Sequence, residues 1–372
     1  MNAQYNETQE DLHTIMAGIY HSAKFKKPII KSPHSTLTHK KIQGQLVDKN
    51  ISYSIRGPFS IKSAILCVTI PKLRIKKEYQ DNIQIKLKSG LVYNILIKAY
   101  FKHGKNEKIP AFTNESIKAY DQFFNKNDYK LKNTSWNNII SKEKIQVVYP
   151  WFFMHHERTA FPLYQTNVLE LICRFNLALE KNIKMIKYNN KKNKWMSIRT
   201  DLKYIEIDKK NNEFLKVPYL DCELIKHTNS YIENIQKNYG YMCVNYLELN
   251  HTLEKEVIKI RHEELLTITV GMIIITSKDT VINKMSMYIG KEKHFKKISG
   301  RLFSSDINRK IKPTLCNYYM ILFSEPFDTN NNYPCYSGFD LNLNECILQL
   351  YLNEGDDPNM KIILLNAKKY LY

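Results

Sequence analysis

The densest cluster of side chains that could bind a metal or transfer a proton is His155, His156 and Glu157. A zinc-protease site needs two histidines four residues apart on one face of a helix, with a glutamate between them. Here the histidines are adjacent, and the surrounding stretch is rich in proline and aromatic residues. The spacing favours a structural or surface role, and we predict no metal site.

The seven cysteines do not form a recognisable site either. No two of them have the close spacing of a zinc ribbon, and their odd number does not indicate a disulfide scaffold. Most lie within apolar runs, which is typical of small core residues in a reducing compartment. The chain contains no nucleophile elbow and no glycine-rich phosphate loop. We therefore predict no catalytic activity and no cofactor. The cysteines are Cys67, Cys173, Cys222, Cys243, Cys316, Cys335 and Cys346.

Charge is the strongest compositional feature of the 372 residues. Lys and Arg total 56 against 36 Asp and Glu, which gives a net charge of +20. Lys, Asn, Ile and Tyr are all abundant and have AT-rich codons, so base composition accounts for part of the lysine excess. The remaining excess predicts attraction to nucleic acid, lipid headgroups or an acidic partner, without choosing among them.

Four basic clusters and one aromatic stretch could contact such a surface. The clusters lie at 24–31, 39–41, 191–194 and 291–297. We interpret each as solvated loop, because charge runs usually face water. The aromatic stretch 149–153 (YPWFF) could stack nucleobases, but it leads directly into the strongest predicted strand. We therefore interpret it as core.

Membrane and secretory signals are both lacking in the sequence. No apolar run reaches the roughly 18 residues that a membrane helix needs. Residues 1–12 are polar and acidic, unlike a signal peptide. We expect neither an integral membrane protein nor a secreted one.

The elements that position these residues are predicted from a hydrophobic period of two. A strand places such residues on one face, whereas a helix scatters them around its circumference. The stretches 83–87 and 93–100 are predicted to form a hairpin through Ser89 and Gly90, and helices are predicted only at 115–125 and 220–237. The clearest period-two series is Leu169, Leu171, Cys173, Phe175, Leu177 and Leu179. Similar stretches recur at 61–70, 202–207, 244–249, 257–260, 266–275, 285–289, 318–323, 347–352 and 360–365.

About a dozen short strands with little helix between them predict an all-β protein. The chain length fits two consecutive jelly-roll β-sandwiches with few short helices. The lysine-rich stretch 184–199 has little strand pattern and is predicted to be a linker. The predicted organisation is a polar N-terminal arm at 1–37, a first jelly roll at 38–183, the linker, and a second jelly roll at 200–372.

The segment 148–175 carries the most specific pattern in the chain. It reads VYPWFFMHHERTAFPLYQTNVLELICRF. It resembles the signature of the major capsid proteins of nucleocytoplasmic large DNA viruses, in which an aromatic pair precedes Ala-Leu-Pro-Leu and an alternating strand follows. The matching positions, with phenylalanine in place of the first leucine, are Pro150, Trp151, Phe152, Ala160, Pro162, Leu163, Glu170, Leu171 and Phe175.

Three further stretches resemble that family in the same order. The stretch 54–71 resembles its opening strand, 245–260 resembles its second-domain "Leu-Asn-Phe-Asn-His" stretch, and 318–350, with Ser337 and Gly338, resembles its closing strands. The resemblance thus spans residues 54–372. The family's N-terminal segment has no counterpart in 1–41, and the shorter chain implies short exterior loops.

The resemblance implies a double jelly roll that works as a structural virion protein. Three copies would form a pseudo-hexameric homotrimeric capsomer, and capsomers would tile an icosahedral shell that is assembled in the host cytoplasm. The implied partners are other copies of the chain, minor capsid proteins, and the inner membrane or genome on a basic face. No residue has an implied catalytic, metal-binding or cofactor-binding role.

Three alternatives remain open at the level of sequence. The first is a minor capsid paralogue or a scaffold protein of the same fold, like the poxvirus protein that shapes the membrane of immature virions. The second is a basic, sequence-nonspecific nucleic-acid-binding protein, which the net charge of +20 favours. The third, a β-sandwich enzyme or lectin, rests on fold analogy alone.

Overall fold

A computed structural model describes most of the chain. It covers residues 24–26, 36–88, 90–103, 107–124, 135–149, 151, 160–166, 168–206, 215–229, 241–253, 256–261, 267–304, 316–323, 335–341 and 343–370. Most of these residues lie in antiparallel strands and the helices are short, so the prediction of an all-β protein is confirmed.

Two five-stranded sheets form the first half of the chain. The β5 sheet has the order β11-β5-β17-β2, with β12 beside β5, and the β13 sheet has the order β3-β4-β13-β8-β9. The β5 sheet contains β2 (Thr36–Gln43), β5 (Phe59–Ile70), β11 (Glu143–Val147), β12 (Phe161–Pro162) and β17 (Tyr219–Lys226). The β13 sheet contains β3 (Gln45–Val47), β4 (Asn50–Arg56), β8 (Leu96–His103), β9 (Glu107–Thr113) and β13 (Val168–Phe175).

Two four-stranded sheets form the second half. The central sheet has the order β18-β26-β20-β23, and the β25 sheet has the order β19-β25-β21-β22. The central sheet contains β18 (Tyr241–Thr252), β20 (Thr267–Ser277), β23 (Cys316–Leu322) and β26 (Asn359–Tyr370). The β25 sheet contains β19 (Val257–Ile260), β21 (Lys284–Ile289), β22 (Glu292–Ser299) and β25 (Cys346–Tyr351).

Small sheets and short helices complete the described structure. One small sheet contains β6 (Leu73–Ile75), β10 (Ile139–Ile140) and β16 (Ile205–Glu206), and another contains β7 (Ile83–Leu87), β14 (Ile183–Asn189) and β15 (Lys194–Ile198). A two-stranded sheet pairs β1 (Lys24–Lys26) with β24 (Cys335–Ser337). The α-helices are Leu91–Ile95, Asn114–Phe124, Leu163–Thr166 and Leu179–Asn182, and 3-10 turns lie at Lys77–Tyr79, Leu202–Tyr204 and Gly300–Phe303. No helix in these parts is long and apolar enough to cross a membrane.

Alternating burial explains why most strands form where the period of two predicts them. Along β13, Leu169, Leu171 and Cys173 point into the core of the first half, whereas Glu170 and Ile172 stay partly exposed. Each apolar side chain that leaves water stabilises the fold by about 1.5–3 kcal/mol if it is fully buried. The alternation ends at Phe175, because the chain turns into the helix Leu179–Asn182, so the predicted extension of the strand to Leu179 is wrong.

The central sheet is buried on both faces. On β26, Ile363 and Leu365 pack into the core of the first half, and Ile362 and Leu364 pack into the core shared with the β25 sheet. The neighbouring strand β20 follows the same rule, so Thr267–Ile274 are buried without interruption. A sheet covered on both sides needs an almost continuous apolar run, and this sheet therefore contributes side chains to the cores of both halves.

Two local predictions are corrected by long-range pairing. The stretches 83–87 and 93–100 do not form a hairpin, because the helix Leu91–Ile95 separates β7 from β8 and the two strands pair elsewhere. The predicted strand at 202–207 is a 3-10 turn followed by the two residues of β16.

The region predicted as linker and helix is also different. Residues 184–199, predicted as a linker poor in strand pattern, form the hairpin of β14 and β15, and β14 pairs with β7. The predicted helix 220–237 is wrong over its first part, because β17 is a strand between β5 and β2. Leu220, Cys222 and Leu224 alternate into the core there, whereas residues 230–240 lie outside the described part. The predicted helix at 115–125 is confirmed as Asn114–Phe124.

Candidate structural site: the signature segment and the junction of the two halves

Trp151 anchors the aromatic part of the signature in the core. Its side chain is 1% exposed, and its indole N–H donates a hydrogen bond to the carbonyl oxygen of Ala64 on β5 at 2.7 Å. Its ring stacks on Phe112 at 4.7 Å and meets Phe101 edge-on at 5.5 Å. A tryptophan held in this way cannot stack a nucleobase, so the core interpretation of this position is confirmed.

The same aromatic cluster reaches the second half of the chain. Phe112, at the end of β9, contacts the ring of Tyr246 on β18 at 6.1 Å, and Tyr120 contacts Tyr246 at the same distance. Tyr149 packs against Trp151 at 5.6 Å and donates its hydroxyl hydrogen to the carbonyl oxygen of Val92. The signature tryptophan therefore lies one ring away from the junction of the two halves.

Polar groups tie the same junction together at its surface. The hydroxyl of Thr113 donates to the carboxylate of Glu248, and the ammonium of Lys361 pairs with Glu115 at the start of the helix Asn114–Phe124. Lys361 also lies 3.9 Å from Glu248. Two groups of the first half thus bind two groups of the central sheet, and Glu115 and Lys361 also line a cleft of about 430 Å³.

The Ala-Phe-Pro-Leu stretch forms the short strand β12 and the start of a helix. Phe161 pairs with Ile61 and Pro162 with Ser60, so this stretch extends the β5 sheet at its edge. Proline is tolerated there because an edge strand needs no ladder hydrogen bond on its outer side. Ala160, Pro162 and Leu163 are all buried, which makes the tetrapeptide a packing element.

A buried histidine lies beside this stretch. Ser60 and His227 are hydrogen-bonded, with Oγ and Nε2 2.8 Å apart, and the ring of Tyr164 packs on His227 at 5.3 Å. Burial lowers the pKa of His227 from 6.5 to about 4. The imidazole is therefore neutral at pH 7, and both it and Ser60 are almost completely removed from solvent. The pair therefore forms a hydrogen bond within the core.

The β13 positions of the signature divide between core and surface. Leu171 lies between Tyr53 on β4 and Phe101 on β8, and Phe175 meets Tyr53 edge-on at 6.5 Å. Glu170 is on the opposite face, 3.9 Å from Lys102. The glutamate supports a cross-strand ion pair, and the apolar residues hold the β13 sheet against its core.

Position 338 requires glycine for a steric reason that the sequence does not reveal. A Cβ atom at this position would lie 2.2 Å from the carbonyl oxygen of Thr269 and 3.1 Å from the Cα atom of Val270. Phe339 and Thr269 exchange two backbone hydrogen bonds at 2.8 and 3.0 Å, which draws the two segments together. Ser337, in β24, pairs with Lys24 of β1. The Ser-Gly turn thus fastens an N-terminal strand and a loop to the central sheet.

Burial also decides the state of the cysteines. It raises the pKa of Cys222 and of Cys346 to about 12, and raises the pKa of Cys173 further. These thiols are therefore protonated core groups, as predicted for most of the cysteines. Among the residues whose positions are given, no cluster of His, Cys, Asp or Glu has the arrangement of a metal site.

The comparisons place this architecture among known structures. No protein-family model and no curated protein sequence matches the chain. The structure is similar to a chain of the PBCV-1 virus capsid, with a TM-score of 0.58 over 91% of this chain and 95% of that chain, at 10% sequence identity. It is also similar to the Faustovirus major capsid protein, with a TM-score of 0.56, 8% identity and coverage of 99% and 98%. The STIV major capsid protein matches with a TM-score of 0.54, 10% identity and coverage of 90% and 97%.

The chain has the double jelly-roll fold.

Within the double jelly roll, the structure brings together most of the signature but not all of it. Trp151, Leu163, Leu171 and Phe175 pack in or against one core, and Ala160 and Pro162 are buried. Gly338 lies against Thr269 of the central sheet, and Ser337 precedes it in β24. Pro150, Phe152 and the cluster at His155, His156 and Glu157 lie outside the described residues.

The basic clusters of the double jelly roll are dispersed. Residues 39–41 lie in the exposed strand β2, 191–194 at the tip of the β14–β15 hairpin, and 291–297 in the β21–β22 hairpin. The first two lysines of 24–31 are in β1, and residues 27–31 are not described. Residues 24–26, 39–41 and 292–297 are therefore strand where solvated loop was predicted, whereas 191–193 form an exposed turn.

Sequence reasoning missed the residues that join the halves. Phe112, Glu248 and Lys361 have no signature of their own, because each acts through a partner at least 100 positions away or across the junction. The one available signal was the uninterrupted apolar run of β20. Such a run is too long for a sheet that has one solvent-exposed face, and it indicates burial on both faces.

Proposed function

We propose that this chain is a structural capsid subunit, whose function is to assemble with copies of itself. The observation that carries the proposal is the extent of the double jelly-roll match, because nine tenths or more of this chain aligns with nearly all of three capsid chains. A partial match would be compatible with one sandwich that is reused for another purpose. A match over both sandwiches and their junction favours the same structural role for this chain as for those capsid chains.

The contacts across the junction support a particular mode of assembly. Two similar sandwiches fixed side by side give one chain two comparable outer walls. Three such chains around an axis give six, which is the requirement for a pseudo-hexameric homotrimer that packs in a hexagonal lattice. The aromatic cluster and the Lys361 ion pairs would keep the two walls at a constant angle in every copy.

We also propose where the chain divides into the two sandwiches that this mode of assembly requires. The first sandwich would run from β2 to β17, because β17 pairs with β2 and β5, and the second would run from β18 to β26. The N-terminal arm would reach the second sandwich through the pairing of β1 with β24. Minor capsid proteins, and the inner membrane or the genome, would be further partners in a virion.

The test is the absolute mass of the purified chain by light scattering, at low and high salt, with negative-stain images of the same fractions. A salt-resistant particle of three times 44.0 kDa with hexagonal outlines is expected. A monomer under all conditions overturns the shell-subunit proposal.

A second set of measurements, of vesicle binding and DNA binding, distinguishes the alternative functions of this chain. A monomer that assembles only on anionic vesicles would indicate a membrane scaffold of the same fold. A monomer that binds DNA with a steep salt dependence would indicate a nucleic-acid-binding protein.

A further inference from the structure

The outer face of the β13 sheet carries an unusual concentration of cations. A cleft of about 420 Å³ is lined by Lys49, Lys98, Lys108 and Arg174, and the one acidic residue in its lining is Asp48. The four cations come from four places in the sheet: the β3–β4 turn and strands β8, β9 and β13. They converge on one concave surface only because the strands lie side by side.

Two of these cations are forced together by strand register. Lys98 on β8 lies directly opposite Arg174 on β13, in a cross-strand pair. Side chains in such pairs have Cβ atoms about 4.5–5.5 Å apart, and like charges there destabilise the sheet. The register cannot slip to relieve the contact, because a shift by one residue would expose Leu171 and Cys173.

Ion pairs with carboxylates are lacking in this cluster among the described residues, although they occur nearby. Lys102, four residues from Lys98 along β8, has Glu170 at 3.9 Å, and on the β5 sheet Lys62 has Glu223 at 3.3 Å. None of the four cleft cations forms an ion pair with a carboxylate within the described ranges. The Lys98 ammonium lies 5.2 Å from the centre of the Tyr100 ring, a contact that orients the charge without neutralising it.

We propose that this cleft binds a phosphate-rich anion, either a free oligophosphate or the phosphorylated headgroup of a lipid. Several phosphate groups would supply the counter-charge that the sheet lacks, and Arg174 offers a planar fork that binds phosphate through two parallel hydrogen bonds. The lysines at the rim would act as point charges. The proposal does not depend on the capsid role, since the cleft lies within one chain.

The shape of the cleft favours a compact anion over a nucleic-acid strand. A site for single-stranded nucleic acid combines a long basic groove with several aromatic rings on which successive bases stack. Here the lining is short, and Tyr100 is its one aromatic residue. Val47, 52% exposed on the neighbouring edge strand, would suit the apolar border of a lipid surface.

The test measures binding of inorganic tripolyphosphate to the full chain by calorimetry at low salt, with the double variant Lys98→Gln/Arg174→Gln. We expect the variant to lose affinity roughly tenfold or more, because it removes the facing cations. The matched control is Lys184→Gln/Lys187→Gln, which removes two exposed charges from β14 and is expected to change affinity by less than about twofold.

The second arm repeats the comparison with phosphatidylcholine vesicles that contain phosphatidylinositol bisphosphate, and with single-stranded DNA. Binding of either phosphate probe that is lost in the cleft variant alone supports the proposal, and the stronger probe identifies the source of the phosphates. Without ligand, the cleft variant should unfold at the same or a higher temperature than the parent, since a repulsive pair has been removed. The proposal is overturned if neither probe binds, if cleft and control variants behave alike, or if DNA is the one ligand affected.

Discussion

Replacement of Trp151 by alanine tests whether the signature residue holds the two halves together. The change removes a fully buried indole, its hydrogen bond to Ala64 and its stacking on Phe112. Loss of a buried aromatic side chain costs about 3–5 kcal/mol. The unfolding entropy expected for 372 residues is about 0.8 kcal/mol/K, so the midpoint should fall by about 4–6 °C.

A second variant separates packing from hydrogen bonding. Trp151→Phe keeps most of the ring and loses the N–H donor, which is worth about 1 kcal/mol. Trp195→Ala is the control, because Trp195 is 38% exposed on the edge strand β15. We expect the order of midpoints to be parent and Trp195→Ala highest, then Trp151→Phe, then Trp151→Ala.

The decisive readout is hydrogen exchange in the second half of the chain. Trp151 stacks on Phe112, and Phe112 contacts Tyr246 on β18. Trp151→Ala should therefore reduce amide protection in Tyr241–Thr252 while leaving β25 unchanged. Equal protection in parent and variant, or a midpoint no lower than that of Trp195→Ala, would refute the claim that this residue supports the junction.

Three further predictions concern single sites. Gly338→Ala should lower the unfolding free energy by about 1–3 kcal/mol, because its methyl group would meet a backbone oxygen at 2.2 Å; unchanged thermal unfolding would contradict this. His227 has a pKa of about 4 when folded and 6.5 as its ordinary value, so the unfolded chain binds more protons between those values and stability falls by about 2 kcal/mol from pH 7 to pH 5. His227→Gln should flatten that pH profile of the unfolding midpoint, and a profile as steep as the parent's would refute the assignment. Leu171→Asp should leave little soluble chain, since it puts an unpaired charge in the core at a cost of about 4 kcal/mol or more, whereas Ile172→Asp on the outer face should remain soluble; equal yields would show that the strand's inward face is misassigned.

Local chemistry along the chain determined much of this protein. The alternation through Leu169, Leu171 and Cys173 predicts both the strand and the face that it buries, because side chains on a strand point in turn to opposite sides. The aromatic stretch 149–153 predicts a core segment, and its described residues Tyr149 and Trp151 are buried. The scattered cysteines predict buried thiols, as Cys173 shows. Each of these needs only neighbours within a few residues, and each agrees with the structure.

Only the tertiary structure decided what each strand pairs with. Residues 184–199 look like a linker because they are lysine-rich, yet β14 finds its partner in β7, about a hundred residues earlier. The strand β17 joins the first half although it follows the supposed linker. The need for glycine at 338 arises from the oxygen of Thr269, and the repulsion between Lys98 and Arg174 arises from register. Such features depend on atoms that are distant in the chain and adjacent in space. The residues near each position in the sequence do not indicate which distant atoms it will contact.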